Sequence, residues 1–392
     1  MDHVVVVGAG LAGVRSVEAL RAHGFAGRIT LIGEEPHRPY DRPPLSKAVL
    51  LGQTDSTVVD SDLEALDVRL RLGVAAKGLR DGVVETTEGE LDYDGLVIAT
   101  GASPIRLRGE GSQHVLRTID DALALRARLV PGARIVVIGA GWIGAEVATA
   151  AAKAGCEVIV IEAAEAPLAA ALGAAAGGHT APWYERAGVD LRLDTMVGSV
   201  DLGGVTLMSG GRIDADVILT CVGVRPAVDW LKGSAVTVED GVVVDEHLRT
   251  SLADVVAVGD CANWWSRRFG RRMRVEHWDT ALGAPDTAAA TLLGEVAVYD
   301  PVPYFWSEQF GHMVQFAGHR GVATHMVLRG DPRADEKWAV CWLTGEDRLT
   351  AILTVDRPRD LVQGRRVVEG GQRLDVARLV DPAVTLRDCI MA

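Results

Sequence analysis

The sequence predicts an α/β protein in which two open parallel sheets are each wound with helices, one interrupting the other, ahead of a C-terminal α+β domain. Three observations carry that prediction. A strand, a glycine-rich turn and a helix occur twice, at "VVVVGAGLAGVRSV" (4–17) and "IVVIGAGWIGAEVA" (135–148). Two later apolar strands, in "YDGLVIATGASP" (93–104) and "TSLADVVAVGDCAN" (250–263), read as returns to the first sheet. The last ninety residues offer strands at "HMVQFAGH", "KWAVCWLT" and "RLTAILTV", then a helix at "PRDLVQGRRVVEGG" with its glycine stop.

The first unit begins with "HVVVV", a short branched run suited to a strand buried on both faces. Gly8, Gly10 and Gly13 follow, and "LAGVRSVEALRAHG" reads as a helix ending at Gly24. "RITLIG" is the next strand, closed by Glu34 and Glu35 at the distance where an acid reaches ribose hydroxyls. The three glycines serve different ends. Gly8 allows the tight turn, Gly10 lets backbone approach a pyrophosphate, and Gly13 lets helix and strand pack closely. Phosphates then sit at a helix N-terminus, where open N–H groups and the dipole favour anions. The second unit repeats the plan. "ARIVVI" leads into Gly139, Gly141 and Gly144, with Trp142 and Ile143 between the last two, and "WIGAEVATAAAKAG" is the helix. "CEVIVIE" ends in Glu162, an acid that binds the 2′-hydroxyl of NADH and repels the extra phosphate of NADPH. Two Rossmann-like cradles imply two dinucleotides.

Composition narrows the rest. Residues number 392, 48% of them apolar, with 44 glycines, which suits two or three α/β domains. The five cysteines, at 156, 221, 261, 341 and 389, form no close pair, which argues against a disulfide framework, a zinc site or an iron–sulfur cluster in this chain. A formal charge of −13 disfavours nucleic-acid binding. No run of 18 apolar residues is present, and the first strand starts too early for a signal peptide, so the expectation is a cytoplasmic protein with no membrane partner. A monomer or weak homodimer is expected.

With these motifs in order (first glycine turn, Ala99-Thr100-Gly101, second turn, "CVGVRP" containing Gly223, and Gly259-Asp260) the chain resembles the FAD-dependent pyridine nucleotide oxidoreductases over nearly its whole length. The resemblance implies that the N-terminal turn, including Ala12, takes FAD, that Asp260 bonds the flavin ribityl chain, and that the second turn takes NADH. It implies an FAD domain in two halves, 1–107 and 233–302, an inserted NAD domain, 108–232, and a C-terminal interface domain, 303–392.

The disulfide reductases of that superfamily carry a C-x4-C pair beside the flavin, which this chain lacks. In its place "RPYDRPPLSKAVL" (38–50) resembles the ferredoxin-reductase branch that serves oxygenases. That branch implies that Arg42 contacts the flavin pyrophosphate, and that Lys47 lies near the flavin N5 and pairs with Glu146. A cation there favours the anionic reduced ring. It also implies that Glu276, His277 and Trp278 of "RVEHWDTAL" approach the flavin pyrimidine edge. It implies too that Trp306 of "PYFWSEQF" stands near the isoalloxazine, which makes Trp278 and Trp306 candidates for the electron exit. Two departures stand out: Thr280-Ala281 replaces the usual Asn-Ala, and the alanine-rich "APLAAALGAAAGG" (166–178) lacks an arginine common in the family.

The activity expected from this resemblance is NADH oxidation through tightly bound FAD, with electrons leaving singly to a small [2Fe-2S] ferredoxin. Ferredoxins of this kind are acidic, and Arg267, Arg268, Arg271, Arg272 and Arg274 of "SRRFGRRMR" are candidates to steer one electrostatically. The competing expectations are another acceptor (rubredoxin, a quinone, a small oxidant) or a signalling flavoprotein like apoptosis-inducing factor.

Overall fold

A computed structural model describes residues 1–391. Along the chain run β1 (His3–Val7), α1 (Leu11–Ala22), β2 (Arg28–Gly33), β3 (Val68–Leu72), β4 (Gly95–Ile98), β5 (Arg134–Ile138), α2 (Trp142–Lys153), β6 (Glu157–Ile161), β7 (Asp190–Arg192), β8 (Val217–Thr220), β9 (Val255–Ala257), β10 (Ala262–Ser266), β11 (Arg271–Met273), α3 (Trp278–Leu292), β12 (Tyr304–Gln309), β13 (His312–Gly318), β14 (His325–Arg329), β15 (Trp338–Leu343), β16 (Leu349–Val355) and α4 (Pro358–Gly370), with shorter pieces between them.

These elements form two compact units. The first takes Met1–Asp41, Ser56–Ser103 and Val224–Pro303; the second takes Arg42–Asp55, Pro104–Gly223 and the chain from Tyr304 on. The segment 42–55, grouped on sequence with the first glycine turn, therefore belongs with the second unit. The same unit joins the second glycine turn to the C-terminal sheet.

In the first unit five parallel strands lie in the order β9–β4–β1–β2–β3. Every residue of β1 and β4 is buried, as strands covered on both faces require. The strand β9, far along the chain, pairs beside β4, so the two late strands do return to the first sheet. The helices α1 and α3 pack on each other and against it.

The second unit holds a four-stranded parallel sheet, β7–β6–β5–β8, and a five-stranded antiparallel one, β12–β13–β16–β15–β14. The strands β15 and β16 are buried throughout. The helix α4 packs on this sheet at Gly364, where a Cβ would stand 2.8 Å from Ile352. Leu168, Leu172, Ala176 and Trp183 join Trp338, Val340 and Leu353 of the sheet in one core. The alanine-rich run is not one helix. It forms two single turns, Ala169–Leu172 and Ala174–Gly177, broken at Gly173, whose φ is +81°. Arg320 donates to the carbonyls of Ala171 (2.8 Å) and Ala170 (3.0 Å), supplying from the antiparallel domain a cation for those open carbonyls. Among the described residues no helix is long and apolar enough to cross a membrane.

The C-terminal segment is held by a buried cation. Arg329 is fully buried and donates to the carbonyls of Leu379 (2.5 Å) and Val384 (2.8 Å), while its Nε faces Asp360 at 3.4 Å. Asp360 also pairs with Arg357 at 2.6 Å. Arg329→Ala leaves a buried carboxylate and several carbonyls short of donors, and should cost roughly 3–5 kcal/mol. Chemical denaturation followed by tryptophan fluorescence reads it as a lower midpoint.

Candidate functional site

The first glycine turn is built by three different constraints. Gly8 has φ +113°, and a Cβ there would stand 2.2 Å from the Ala99 carbonyl oxygen. Gly13 would collide with the Gly8 carbonyl at 1.9 Å and approach Leu31. Gly10 differs: its φ is −82° and nothing lies within 4 Å of its missing Cβ. Neither strain nor internal packing demands glycine there. What remains is close approach of something outside the chain, as a pyrophosphate makes. The helix α1 agrees, since Gly10 provides no side-chain cap and its first turn carries no acid, so the opening amides face outward uncontested.

The second turn repeats each feature. Gly139 has φ +102° and would meet the Cys221 carbonyl at 2.4 Å, and Gly144 would meet the Gly139 carbonyl at 2.0 Å. Gly141, with φ −77°, has open space. The helix α2 likewise starts without a side-chain cap or acid. Trp142 sits at its first position edge-on to Phe305 (4.4 Å), while Ile143 is exposed. Glu162, at the end of β6, accepts from the amides of Ala140 (2.7 Å) and Ala164 (2.9 Å). Its carboxylate is thereby fixed beside the turn. Gly223 is exposed with φ +103°. Two dinucleotide pyrophosphates fit these two turns on the chain's own geometry.

The flanking residues of the first unit are also placed. Glu34 is exposed, and Glu35 accepts from the Tyr40 hydroxyl at 2.5 Å. Gly101 (φ +69°) follows Thr100, whose hydroxyl donates to Ala227 O at 2.8 Å. Gly259 (φ +71°) and Asp260 open a 3-10 turn that comes so close to α1 that a Cβ on Gly259 would stand 3.1 Å from that of Ala12. His277 precedes α3, and Trp278 Nε1 donates to Asp41 at 3.0 Å. Burial pushes the His277 imidazole down to about 4, against the opposing charge of Asp260. It is neutral at pH 7.

In the second unit the expected Lys47–Glu146 pair is formed. Lys47 Nζ stands 2.9 Å from Glu146 Oε1, and the Glu146 side chain is 3% exposed. Sequence reasoning missed two more donors, Ser46 Oγ on Oε2 and Ser307 Oγ on Oε1 (2.6 Å). Gln309 in turn donates to Ser307 at 3.0 Å. The signal for Ser307 was present: Ser307 and Gln309 sit two apart on a strand, hence on one face, with the exposed Glu308 between them on the other. The alternation puts Trp306 on the opposite face of β12, its ring 6.1 Å from Tyr304 and nearly parallel to it. Arg42 caps the 3-10 turn Pro43–Ser46 and donates to the Arg117 carbonyl at 2.5 Å.

The arginine-rich stretch forms the hairpin β10–β11, and its charge is more compensated than the sequence suggests. Arg267 pairs with Glu246 (2.5 Å), and Arg274 lies between Asp240 (3.0 Å) and Glu276. Arg272 donates to the carbonyls of Val244 and Asn263. The Arg268 amide donates to Asp300. Arg271 makes no side-chain hydrogen bond or ion pair among the described residues.

Comparison with known proteins decides the lineage. The pyridine nucleotide-disulphide oxidoreductase model matches residues 2–284, and a reductase C-terminal model matches 304–390. The chain belongs to the pyridine nucleotide-disulphide oxidoreductase family. It is 36% identical over 404 aligned residues to the ferredoxin–NAD(+) reductase component of an anthranilate 1,2-dioxygenase system from Burkholderia cepacia, covering 98% of each chain. It is 32% identical to putidaredoxin reductase from Pseudomonas putida, covering 100% of this chain and 97% of that one. Among solved structures, Fdr9 superposes with TM-score 0.95 at 52% identity, over 98% of this chain and 99% of that one. The covalent putidaredoxin reductase–putidaredoxin complex superposes with TM-score 0.94 at 32% identity, over 99% and 98%.

None of the five cysteines forms a disulfide among the described residues. All five are free, and burial raises every thiol, Cys221 and Cys341 to about 12. A thiol held protonated is a poor nucleophile.

Two outcomes follow from this geometry. Gly10→Ala should leave the stability of the flavin-free protein within about 0.5 kcal/mol of the parent's, while the purified variant loses its bound flavin and with it the stabilisation a folded-state ligand gives. Gly13→Ala should lower stability itself, because the carbonyl it meets cannot move aside. Melting curves beside visible spectra separate the two. The His277 imidazole also carries a pH signature. Its folded value lies below the unfolded one near 6.5, so the unfolded chain binds more protons between pH 6.5 and 4, and stability falls as pH falls through that window. His277→Gln should flatten the slope of melting temperature against pH there.

Proposed function

We propose that this protein is an NADH-dependent reductase that passes electrons through FAD to a small [2Fe-2S] ferredoxin feeding an oxygenase. The observation that carries the reading is the pair of glycine turns whose middle glycines, Gly10 and Gly141, the fold itself does not require. The named relatives, matched nearly end to end, support the choice of acceptor.

The first turn, with Gly8, Gly10, Ala12 and Gly13, holds the pyrophosphate of FAD, and Glu34 or Glu35 its ribose. Ala99, Thr100, Gly101, Gly259 and Asp260 complete that side, and Glu276, His277 and Trp278 serve the pyrimidine edge. The second turn takes NADH, with Glu162 on the 2′-hydroxyl. Residues 108–232 act as the NAD domain and 303–392 as the interface domain. FAD, when bound, turns a two-electron donor into a one-electron one. The chain supplies binding, orientation and charge. Lys47 favours the anionic reduced ring, Glu146 fixes Lys47, Arg42 meets the flavin phosphates, and Trp306 marks the exit side. The hairpin arginines Arg267, Arg268, Arg271, Arg272 and Arg274 steer the acidic partner.

Anaerobic titration tests this. NADH should bleach the flavin at far lower concentration than NADPH, and an acidic [2Fe-2S] ferredoxin should then reoxidise it faster than rubredoxin or a quinone. Glu162→Ala should erase the preference for NADH by roughly ten- to a hundredfold, the worth of a charged hydrogen bond. Equal response to both nucleotides in the parent protein would reject the role of Glu162.

A further inference from the structure

NADH delivers two electrons together with one hydrogen nucleus, whereas a ferredoxin accepts electrons alone. The balanced turnover is NADH plus two oxidised ferredoxins giving NAD+, two reduced ferredoxins and one proton. A proton must therefore leave the site on every turnover, and electron transfer to the partner provides no carrier for it.

The second unit contains a feature suited to carrying it. A polar cavity of about 200 Å³ lies against the Lys47–Glu146 pair. Its walls are Ser46, Lys47 and Leu51 of the 42–55 segment, the last turns of α2, and the turn between β12 and β13 with Asp356 beside it. At 200 Å³ it is below the roughly 300–1,000 Å³ of small-molecule sites, yet it takes about six waters at ~30 Å³ each. Glu146 is nearly inaccessible, while of the other groups lining the cavity Glu308 is exposed and His312 and Asp356 are partly so. His312 is fixed there: Nδ1 stands 2.9 Å from Asp356 Oδ2, and its ring stacks on Trp183 at 4.5 Å. Asp356 is held in turn by the Met313 amide at 2.9 Å. The Nε2 position is left to exchange a proton.

Charge around the cavity favours a passing proton. The ionisable groups lining it are Lys47 and Lys153 against Glu146, Glu308 and Asp356, with His312 the sixth. Two cations face three anions, so one further positive charge, borne by His312, brings the cavity to neutrality.

We propose that this cavity is the proton exit of the reductase, leading from Lys47 and Glu146 along water to the His312–Asp356 pair and out to solvent. The proposal rests on the reading of Lys47 and Glu146 as flavin-side groups. A proton accepted at the inner pair passes to water, the imidazole takes it up, and bulk solvent receives it. No bond other than O–H and N–H forms or breaks along the way, and the two electrons depart separately to the ferredoxins. His312 acts as a relay, not as a group that touches the reacting atoms.

The test uses the flavin-loaded protein in two variants, His312→Phe, which removes the relay, and Ala150→Leu, which fills the cavity from α2 without touching an ionisable group. Retained visible spectra and melting temperatures establish that each is folded. Bleaching by NADH releases no proton and should keep its rate. Single-turnover ferredoxin reduction, followed with a pH-indicator dye in weak buffer, should slow on the order of tenfold or more in both variants. It should acquire a solvent isotope effect in D2O and recover in His312→Phe on adding imidazole. Parent-like proton release in both variants would overturn the proposal. Glu146→Gln separates this from the underlying reading: unchanged bleaching by NADH in that variant would defeat the flavin-side role of the pair, whatever the cavity variants do.

Discussion

A carboxylate removed from water must be met by donors, and Glu146 draws them from two stretches far from its own helix in the chain. Lys47 and Ser46 come from the 42–55 segment, Glu146 itself from α2, and Ser307 from the first strand of the antiparallel sheet. Removing any one donor leaves a buried charge short of partners, which costs several kcal/mol when the main counter-ion goes. That requirement explains why the 42–55 segment clusters with the second unit although its neighbours in sequence belong to the first. A buried ion pair adds little net stability compared with apolar packing. Its persistence at this position is better understood as a means of fixing a cation in one place.

The two glycine turns show how a motif divides into fold and function. Gly8 and Gly139 are demanded by backbone conformation, Gly13 and Gly144 by a carbonyl within 2.0 Å of where a side chain would begin. These four would be kept by a protein that bound nothing. Gly10 and Gly141 would not, and their helices open without side-chain caps. Within each turn a single position therefore reports on the ligand.

Much of this was legible in the sequence because it depends on short-range rules. The branched runs became strands buried on both faces, the glycine spacing gave both turns, and helix stops fell at glycines. The Lys47–Glu146 pair came from resemblance, and the distance bears out the pairing itself. What was not legible depends on contacts between distant segments. Ser46 and Ser307 gain their meaning only when the 42–55 segment and a strand converge on one carboxylate. The hairpin arginines look like a free cationic patch in sequence, but Glu246, Asp240 and Glu276 meet two of them in space. The alanine-rich run has strong helical propensity, yet Gly173 adopts a left-handed conformation and Arg320 takes up carbonyls from the turn before it. Tertiary demand overrode propensity there.

A reductase of this kind handles three cargoes, a nucleotide, electrons and a proton, and the chain gives them different materials. Two helices start without side-chain caps, and their backbone amides favour anions through fixed dipoles and need no titrating group. Thiols are kept out of the chemistry by burial, which holds them protonated. Ionisable side chains are concentrated instead around one small polar cavity, where Lys47, Glu146 and the His312–Asp356 pair occupy its walls. A cleft that only bound nucleotides would have no use for such a group set beside a buried carboxylate. The arrangement makes sense where charge must change hands once per turnover, and the stoichiometry of a two-electron donor feeding one-electron acceptors requires that it does.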